Sequence, residues 1–288
     1  MSIRIRSAWC AVVLALLFAH PAATANVTEE AAAKPIRLAV VYAPMFSGLM
    51  TTLIDDFKKQ SGHDVTIVAG MDIYDRARAG EADIVISHYG FSEVERFVQD
   101  GYGRWPRQVF SNQMVIIGPK DDPARIRGAT SAIEAFRRLA EVKATFVPNA
   151  LPAVVHLTDY LWEGAGRPDK TGWFLETTEA KGRAIKLAEE KGGYVIWGAP
   201  PFLQFAQKHE TQLQILVAND PIFQRVMCSV VVNPDKVPGA NAEGATAFER
   251  YLLSARAQAL VAAFRTPDSK DMQLWWPAAL HNDTIGAQ

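Results

Sequence analysis

Apolar and polar positions follow two interleaved rhythms along most of the chain. Short continuous apolar runs, IRLAVVY, DVTIVAG, ADIVIS and QMVIIGP, read as strands. Between them lie stretches with helical spacing. Leu49, Met50, Leu53, Ile54 and Phe57 mark one helix face, which Ser61-Gly62 ends. DIYDRARAG reads as a short helix. Ser92 and Glu95 stand three apart, the spacing of a capping box, ahead of an apolar face at Val94, Phe97 and Val98. Gly101 then closes that helix.

The second half repeats the alternation. Ser131 and Glu134 form another capping-box pattern, opening a helix to about Glu141. ATFVP is a strand, a helix runs from about Ala153 to Trp162, and Gly164 stops it. A further helix is predicted over Thr178–Lys191, ended by Gly192-Gly193, followed by the strand YVIW. Pro200 suits the first position of the next short helix. LQILV and VMCSVVV are strands, and the last third is helical over 244–254 and 256–264. This order predicts an α/β fold with mostly parallel sheets. Length and composition leave one large domain and two lobes equally open.

The N-terminus changes the picture of where the chain works. Arg4 and Arg6 precede an apolar core from about Cys10 to Ala19, and Ala23-Thr24-Ala25 has the small-x-small form of a signal-peptidase site. Cleavage is expected after Ala25, followed by a loose segment at 26–35 and a periplasmic destination. The mature chain then has 28 basic and 31 acidic residues, because the leader holds two arginines and no acid. A near-neutral balance without a basic patch predicts no nucleic-acid partner and no anionic membrane surface. Cys228 is the one cysteine outside the leader, so no internal disulfide is expected and stability must come from the core. It lies in an apolar strand-like run, where an inert buried thiol is expected.

Catalytic signatures are lacking. The sequence has no nucleophile elbow, no paired metal ligands and no glycine-rich phosphate loop. His156 and Asp159 share a helical face, but two ligands do not make a metal site. The expectation is a protein that is not an enzyme, needs no cofactor and holds no metal.

GEADIVISHYG, FVQDGYG, RQVFSNQMVIIGPKDDPA, GWFLETTEAKGRAIKLAEEKGGYVI and VVVNPDKVPGANAEGATAFERYLLSARAQALVAAF together carry a resemblance. In this order they resemble the periplasmic tungstate-binding proteins of ABC importers, a branch of the type II periplasmic binding proteins. The resemblance implies two α/β lobes with the ligand in the cleft between them. By that analogy lobe one is about 36–111 with 233–288, lobe two is about 119–226, and the hinges fall near 112–118 and 225–232. It also implies a monomer that hands its ligand to inner-membrane transport components.

Three loops depart from the resemblance where the oxyanion would sit. The first, a run of threonines and serine in that family, is Val40-Val41-Tyr42-Ala43-Pro44-Met45-Phe46 here. The second, a small Gly/Ser/Thr turn, is Ala69-Gly70-Met71-Asp72-Ile73, and Asp72 would repel an anion. The third has lost its arginine and serine and keeps Asn149. Each charge-assisted hydrogen bond lost weakens binding by roughly 1.5–3 kcal/mol. The expected ligand is therefore a neutral, largely apolar or aromatic organic molecule. Its expected contacts are Tyr42, Met45, Phe46, Met71, Asp72, Tyr74, His88, Tyr89, Asn149 and Trp197. Each has a plainer reading beside it: staple or core packing for Tyr42, Met45 and Phe46, surface packing for Tyr74 and Tyr89, and a solvated turn for Asp72. His88 also reads as a backbone-bonded turn histidine, Asn149 as a helix cap and Trp197 as core. Two other functions stand beside the first: a carrier of a sterol-like or hopanoid-like lipid between membranes, and tungstate or molybdate binding as in the family.

Overall fold

The structure, a computed structural model, describes residues 34–68, 72–266 and 272–279. The expected leader with its cleavage site, and Met71, lie outside these residues. In the first part of the chain β1 (Ile36–Val40) leads into α1 (Tyr42–Phe46) and α2 (Leu49–Ser61). β2 (Val65–Val68), α3 (Ile73–Arg78), β3 (Ile84–His88) and α4 (Ser92–Gln99) follow. A long strand β4 (Arg107–Gly118) opens the second part, with α5 (Ala132–Glu141), β5 (Phe146–Val147) and α6 (Pro152–Gly164) after it. Next come α7 (Gly182–Glu190), β6 (Tyr194–Gly198), α8 (Ala199–His209) and β7 (Gln214–Val217). The chain returns through β8 (Gln224–Val231) to α9 (Ala242–Leu253), α10 (Ala255–Ala263) and β9 (Trp276–Pro277).

The strands form one curled sheet in the order β2-β1-β3-β8-β4-β6-β5, with β7 and β9 also paired to β4. Pairing is parallel within β2-β1-β3 and between β5 and β6. It is antiparallel wherever β4 or β8 takes part. β4 serves two half-sheets in turn. Arg107–Gln113 register with β8, and Met114–Ile117 register with β6. The apolar run Gln113–Pro119 is thus the second half of a longer strand, whose first half the more polar residues 107–112 had hidden.

Helices cover both faces of β1 and β3, which explains their unbroken apolar runs. Ile36, Leu38, Ile84 and Ile86 pack with Leu53 and Phe57 of α2 and Phe248 of α9. Ala39 and Val85 face the other way, onto Tyr74 and Ala77 of α3 and Val94 and Phe97 of α4. In the second half Phe136, Phe146, Trp173 and Tyr194 build a separate aromatic cluster. Gly118 lets β4 pass beneath Tyr194, since a Cβ there would lie 2.4 Å from the tyrosine ring. Cys228 is buried, as its apolar surroundings predict.

Three local expectations change. Ser92 is the first residue of α4, with Phe91 in the cap position, and its hydroxyl meets Glu93 at 3.3 Å, so no capping box forms there. Ser131 does cap α5, its Oγ accepting the Glu134 N–H at 3.1 Å, but the Glu134 carboxylate turns to Arg137 and Arg138. α7 begins at Gly182 rather than Thr178. The Thr177 hydroxyl accepts the Glu179 N–H at 3.1 Å in a turn, and Lys181 has φ 56, outside helical space.

Candidate functional site

In open α/β sheets ligands bind beyond the carboxyl ends of the strands. Here those ends run straight into helix starts. α1 follows β1, α3 follows β2, α4 follows β3, α6 follows β5 and α8 follows β6. None of these five helices has a side-chain cap, and α7 lacks one as well. The capping positions hold Val41, Asp72, Phe91, Leu151, Gly198 and Lys181, and of these only Asp72 has a side chain of the kind that caps helices. By contrast Ser131, Asn241 and Ser254 cap α5, α9 and α10 with their side chains. First-turn N–H groups with no protein acceptor are donors waiting for solvent or for an anion.

Asn149 adds a side-chain donor to this surface. It is 1% exposed, and its Oδ1 accepts the backbone N–H of Lys181 at 2.9 Å. The amide oxygen therefore joins the start of α6 to the start of α7. Its Nδ2 is buried and has no partner among the described residues. A buried donor left unpaired costs about 1–3 kcal/mol, which a bound acceptor would recover.

At the end of β3, His88 is partly exposed, but its Nδ1 is buried and unpartnered among the described residues. Burial, and then the nearby positive charge of Arg225, lower its pKa to about 4, so the imidazole is neutral at neutral pH. Tyr89 is exposed, with its N–H tied to the Val226 carbonyl at 2.9 Å. Arg225, on β8, holds its guanidinium 5.7 Å from the centre of the Phe91 ring.

A cavity of about 930 Å³ opens between α1–α2 and α8. Tyr42, Phe46, Trp197, Pro200 and Phe205 supply aromatic and apolar wall, and Thr51, Lys208 and Arg265 supply polar rim. The Tyr42 and Phe46 rings stack at 5.2 Å with 9° between their planes. Both rings remain exposed to solvent, at 40% and 55%. An exposed stacked aromatic pair beside a cavity is a surface made for contact.

The ten residues singled out from sequence thus fall into several environments. Tyr42, Phe46 and Trp197 share the cavity. His88, Tyr89 and Asn149 stand at strand ends. Met45 packs against the core, and Asp72 is exposed at the start of α3 without capping it. Tyr74 is buried, its ring 5.3 Å from Phe97 and its hydroxyl bonded to Ser87. Met71 is outside the described residues. Two features were missed: the bare helix starts, which become visible only when element boundaries are known, and Arg225, a lone cation in an apolar run. Among the described residues no group of three or more His, Cys, Asp or Glu is placed to hold a metal, and no helix is long and apolar enough to cross a membrane.

Comparison with known proteins agrees with the fold. The profile of the family described as "Bacterial extracellular solute-binding protein" matches residues 38–264. A protein of Haloferax volcanii, provisionally named an ABC transporter anion-binding protein, is 30% identical over 87% of this chain and 74% of its own length. The tungstate-binding protein TupA of Peptoclostridium acidaminophilum is 29% identical, covering 83% of this chain and 84% of that protein. Among solved structures, the tungstate-binding protein TupA of Desulfovibrio alaskensis G20 superposes with a TM-score of 0.73 at 25% identity. That match covers 85% of this chain and all of that one.

Proposed function

The chain belongs to the bacterial extracellular solute-binding protein family, and on that premise we propose that it captures an anionic solute and passes it to an ABC transport system. The observation that carries this reading is the unpartnered amide of Asn149, held between the starts of α6 and α7, two helices with no side-chain cap. Backbone donors survive every side-chain change except one to proline, which stands at Pro44 in α1, Pro152 in α6 and Pro200 and Pro201 in α8. The loss of threonines and serines from the loops therefore removes part of an anion site and leaves the first-turn N–H groups of the proline-free starts of α4 and α7. The relatives named for anion or tungstate binding support the same charge class.

The aromatic wall refines the reading. Tyr42, Phe46 and Trp197 give a bare tetrahedral oxyanion little to hydrogen-bond, whereas an organic anion would lay its apolar body against them. A neutral apolar ligand would use the wall but leave the helix-start donors and Asn149 unpaired. The similarity to tungstate-binding proteins favours a second reading, a bare oxyanion held by backbone N–H groups alone. The relatives lend no support to a lipid carrier. The lobes at about 36–111 with 233–288 and at about 119–226, the hinges near 112–118 and 225–232, and delivery to the periplasm by residues 1–25 belong to this proposal.

Thermal shift and calorimetry on protein stripped of endogenous ligand test it, because a solute that binds only the native state raises the melting temperature. Tungstate, molybdate, sulfate and benzoate stand against neutral benzamide. Stabilisation by at least one anion, and none by benzamide, is expected. Stabilisation by the neutral amide alone would overturn the reading.

A further inference from the structure

Arg225 enters β8 opposite Asn112 of β4, just where β3 has ended. His88, the last residue of β3, pairs with Met227, and the Tyr89 N–H reaches the Val226 carbonyl. Arg225 is therefore the next β8 residue beyond that edge, at the carboxyl end of the parallel strands. Its guanidinium lies 5.7 Å from the Phe91 ring centre, and the His88 ring lies 5.1 Å from the same ring. One aromatic side chain thus carries both groups.

The guanidinium is partly buried and makes no ion pair or hydrogen bond among the described residues. Arg37 shows the usual alternative, meeting Asp83 with Nε at 3.0 Å and a second nitrogen at 2.5 Å. Burial of Arg225 disfavours its charged form, and no acid among the described residues offsets that cost. Of the acids on α4, Glu93 is exposed and lies 4.0 Å from Arg96. His88 Nδ1 beside it is also buried and unpartnered. An uncompensated cation and an idle imidazole, on one aromatic platform at a strand end, are costly to the fold unless a solute uses them.

We propose that Arg225, with His88 and Phe91, forms a carboxylate-recognising subsite that fixes the charged head of an organic solute. The inference rests on the anionic reading above and names the head group. A guanidinium whose face is covered by an aromatic ring keeps its edge free, and that edge matches a planar carboxylate in a two-point fork. Neutral His88 supplies one further donor or acceptor, according to its tautomer. Because Arg225 pairs across to Asn112, the head group would be gripped on the strand pair that joins the two half-sheets.

Calorimetry with benzoate, benzamide and tungstate on the wild-type chain, Arg225→Lys and Arg225→Ala decides the matter. Benzoate affinity should fall at least tenfold in both variants, because lysine keeps the charge and loses the fork. The melting temperature of the ligand-free variants should stay level or rise, since an unpaired partly buried cation has been removed; a structural role would lower it. Loss of benzoate binding in Arg225→Ala with full retention in Arg225→Lys would overturn the fork. If anions bind the wild type and both variants equally, the subsite is wrong and the anionic reading survives. If no anion binds the wild type, that reading falls and the subsite with it.

Discussion

The side-chain oxygen of Asn149 accepts the backbone N–H of Lys181 at 2.9 Å, so a residue on one loop holds the first turn of a helix 32 positions further along. The same side chain offers its nitrogen to nothing among the described residues. Asn149→Asp separates the two roles. It keeps the acceptor for Lys181 and for the Leu151 N–H at 3.4 Å, and it removes the free donor. We expect a folded protein whose affinity for its best anion falls by tenfold or more, read by calorimetry. Asn149→Ala should lose both the donor and about 1–3 kcal/mol of stability, read by denaturant unfolding.

Asp83 is fully buried and accepts from the Arg37 N–H and the Asn241 N–H, each at 2.8 Å, as well as from the Arg37 guanidinium. Removing one partner leaves the other charge uncompensated. Asp83→Ala should cost about 3–5 kcal/mol in urea unfolding. Burial pushes the Asp83 pKa up, but the Arg37 and backbone hydrogen bonds outweigh it and hold the carboxyl below its usual range. A carboxyl depressed in the fold contributes stability above its unfolded pKa, and that contribution is lost as the pH falls through the folded value. Asp83→Asn should therefore flatten the acid limb of the stability curve.

His88 makes the protein acid-sensitive in a higher window. Its pKa falls from the ordinary 6.5 to about 4, through burial first and Arg225 second. The unfolded chain binds the proton first on acidification, so stability is full above about pH 6.5 and declines toward pH 4. The shift corresponds to a loss on the order of 3 kcal/mol. His88→Gln should level the curve between those pH values, as measured by chemical unfolding across the range.

Gln258 anchors the chain's last described segment. Its Nε2 donates to the carbonyls of Val109 at 2.8 Å and Leu252 at 2.7 Å, while its Oε1 accepts the N–H groups of Ala278 and Ala279. Gln258→Ala removes all four bonds. Amide exchange at residues 276–279 should speed up by at least tenfold, with smaller change in β1 and β3.

Phe46 is more than half exposed, so Phe46→Ser should change stability by less than about 1 kcal/mol. If the stacked Tyr42–Phe46 pair holds the apolar body of the solute, the same change should weaken benzoate binding and leave tungstate binding unaltered. Calorimetry with the two ligands reads the difference.

Most of the scaffold was legible because burial writes itself into apolar runs. Ile36–Val40 and Ile84–His88 are covered on both faces and look it. Helix starts were less legible. Ser92 and Glu95 have the spacing of a capping box, yet Phe91 takes the cap position, because spacing records what two side chains can reach and not where the backbone first turns. The site was the hardest part. Loop hydroxyls are visible in the sequence, but the first-turn N–H groups of helices such as α4 and α7 have no side-chain letter. Arg225 escaped notice because its neighbours, Val226 to Val232, dominate the local pattern.

β4 runs unbroken through both half-sheets with β8 hydrogen-bonded along its first half, Ser111 beside Val226 and Asn112 beside Arg225. The two half-sheets are thus joined through a hydrogen-bonded strand pair, at the same place where the hinges are proposed. Turning one half-sheet against the other would have to twist this two-stranded ribbon. A solute gripped at Arg225 would pull on the ribbon itself.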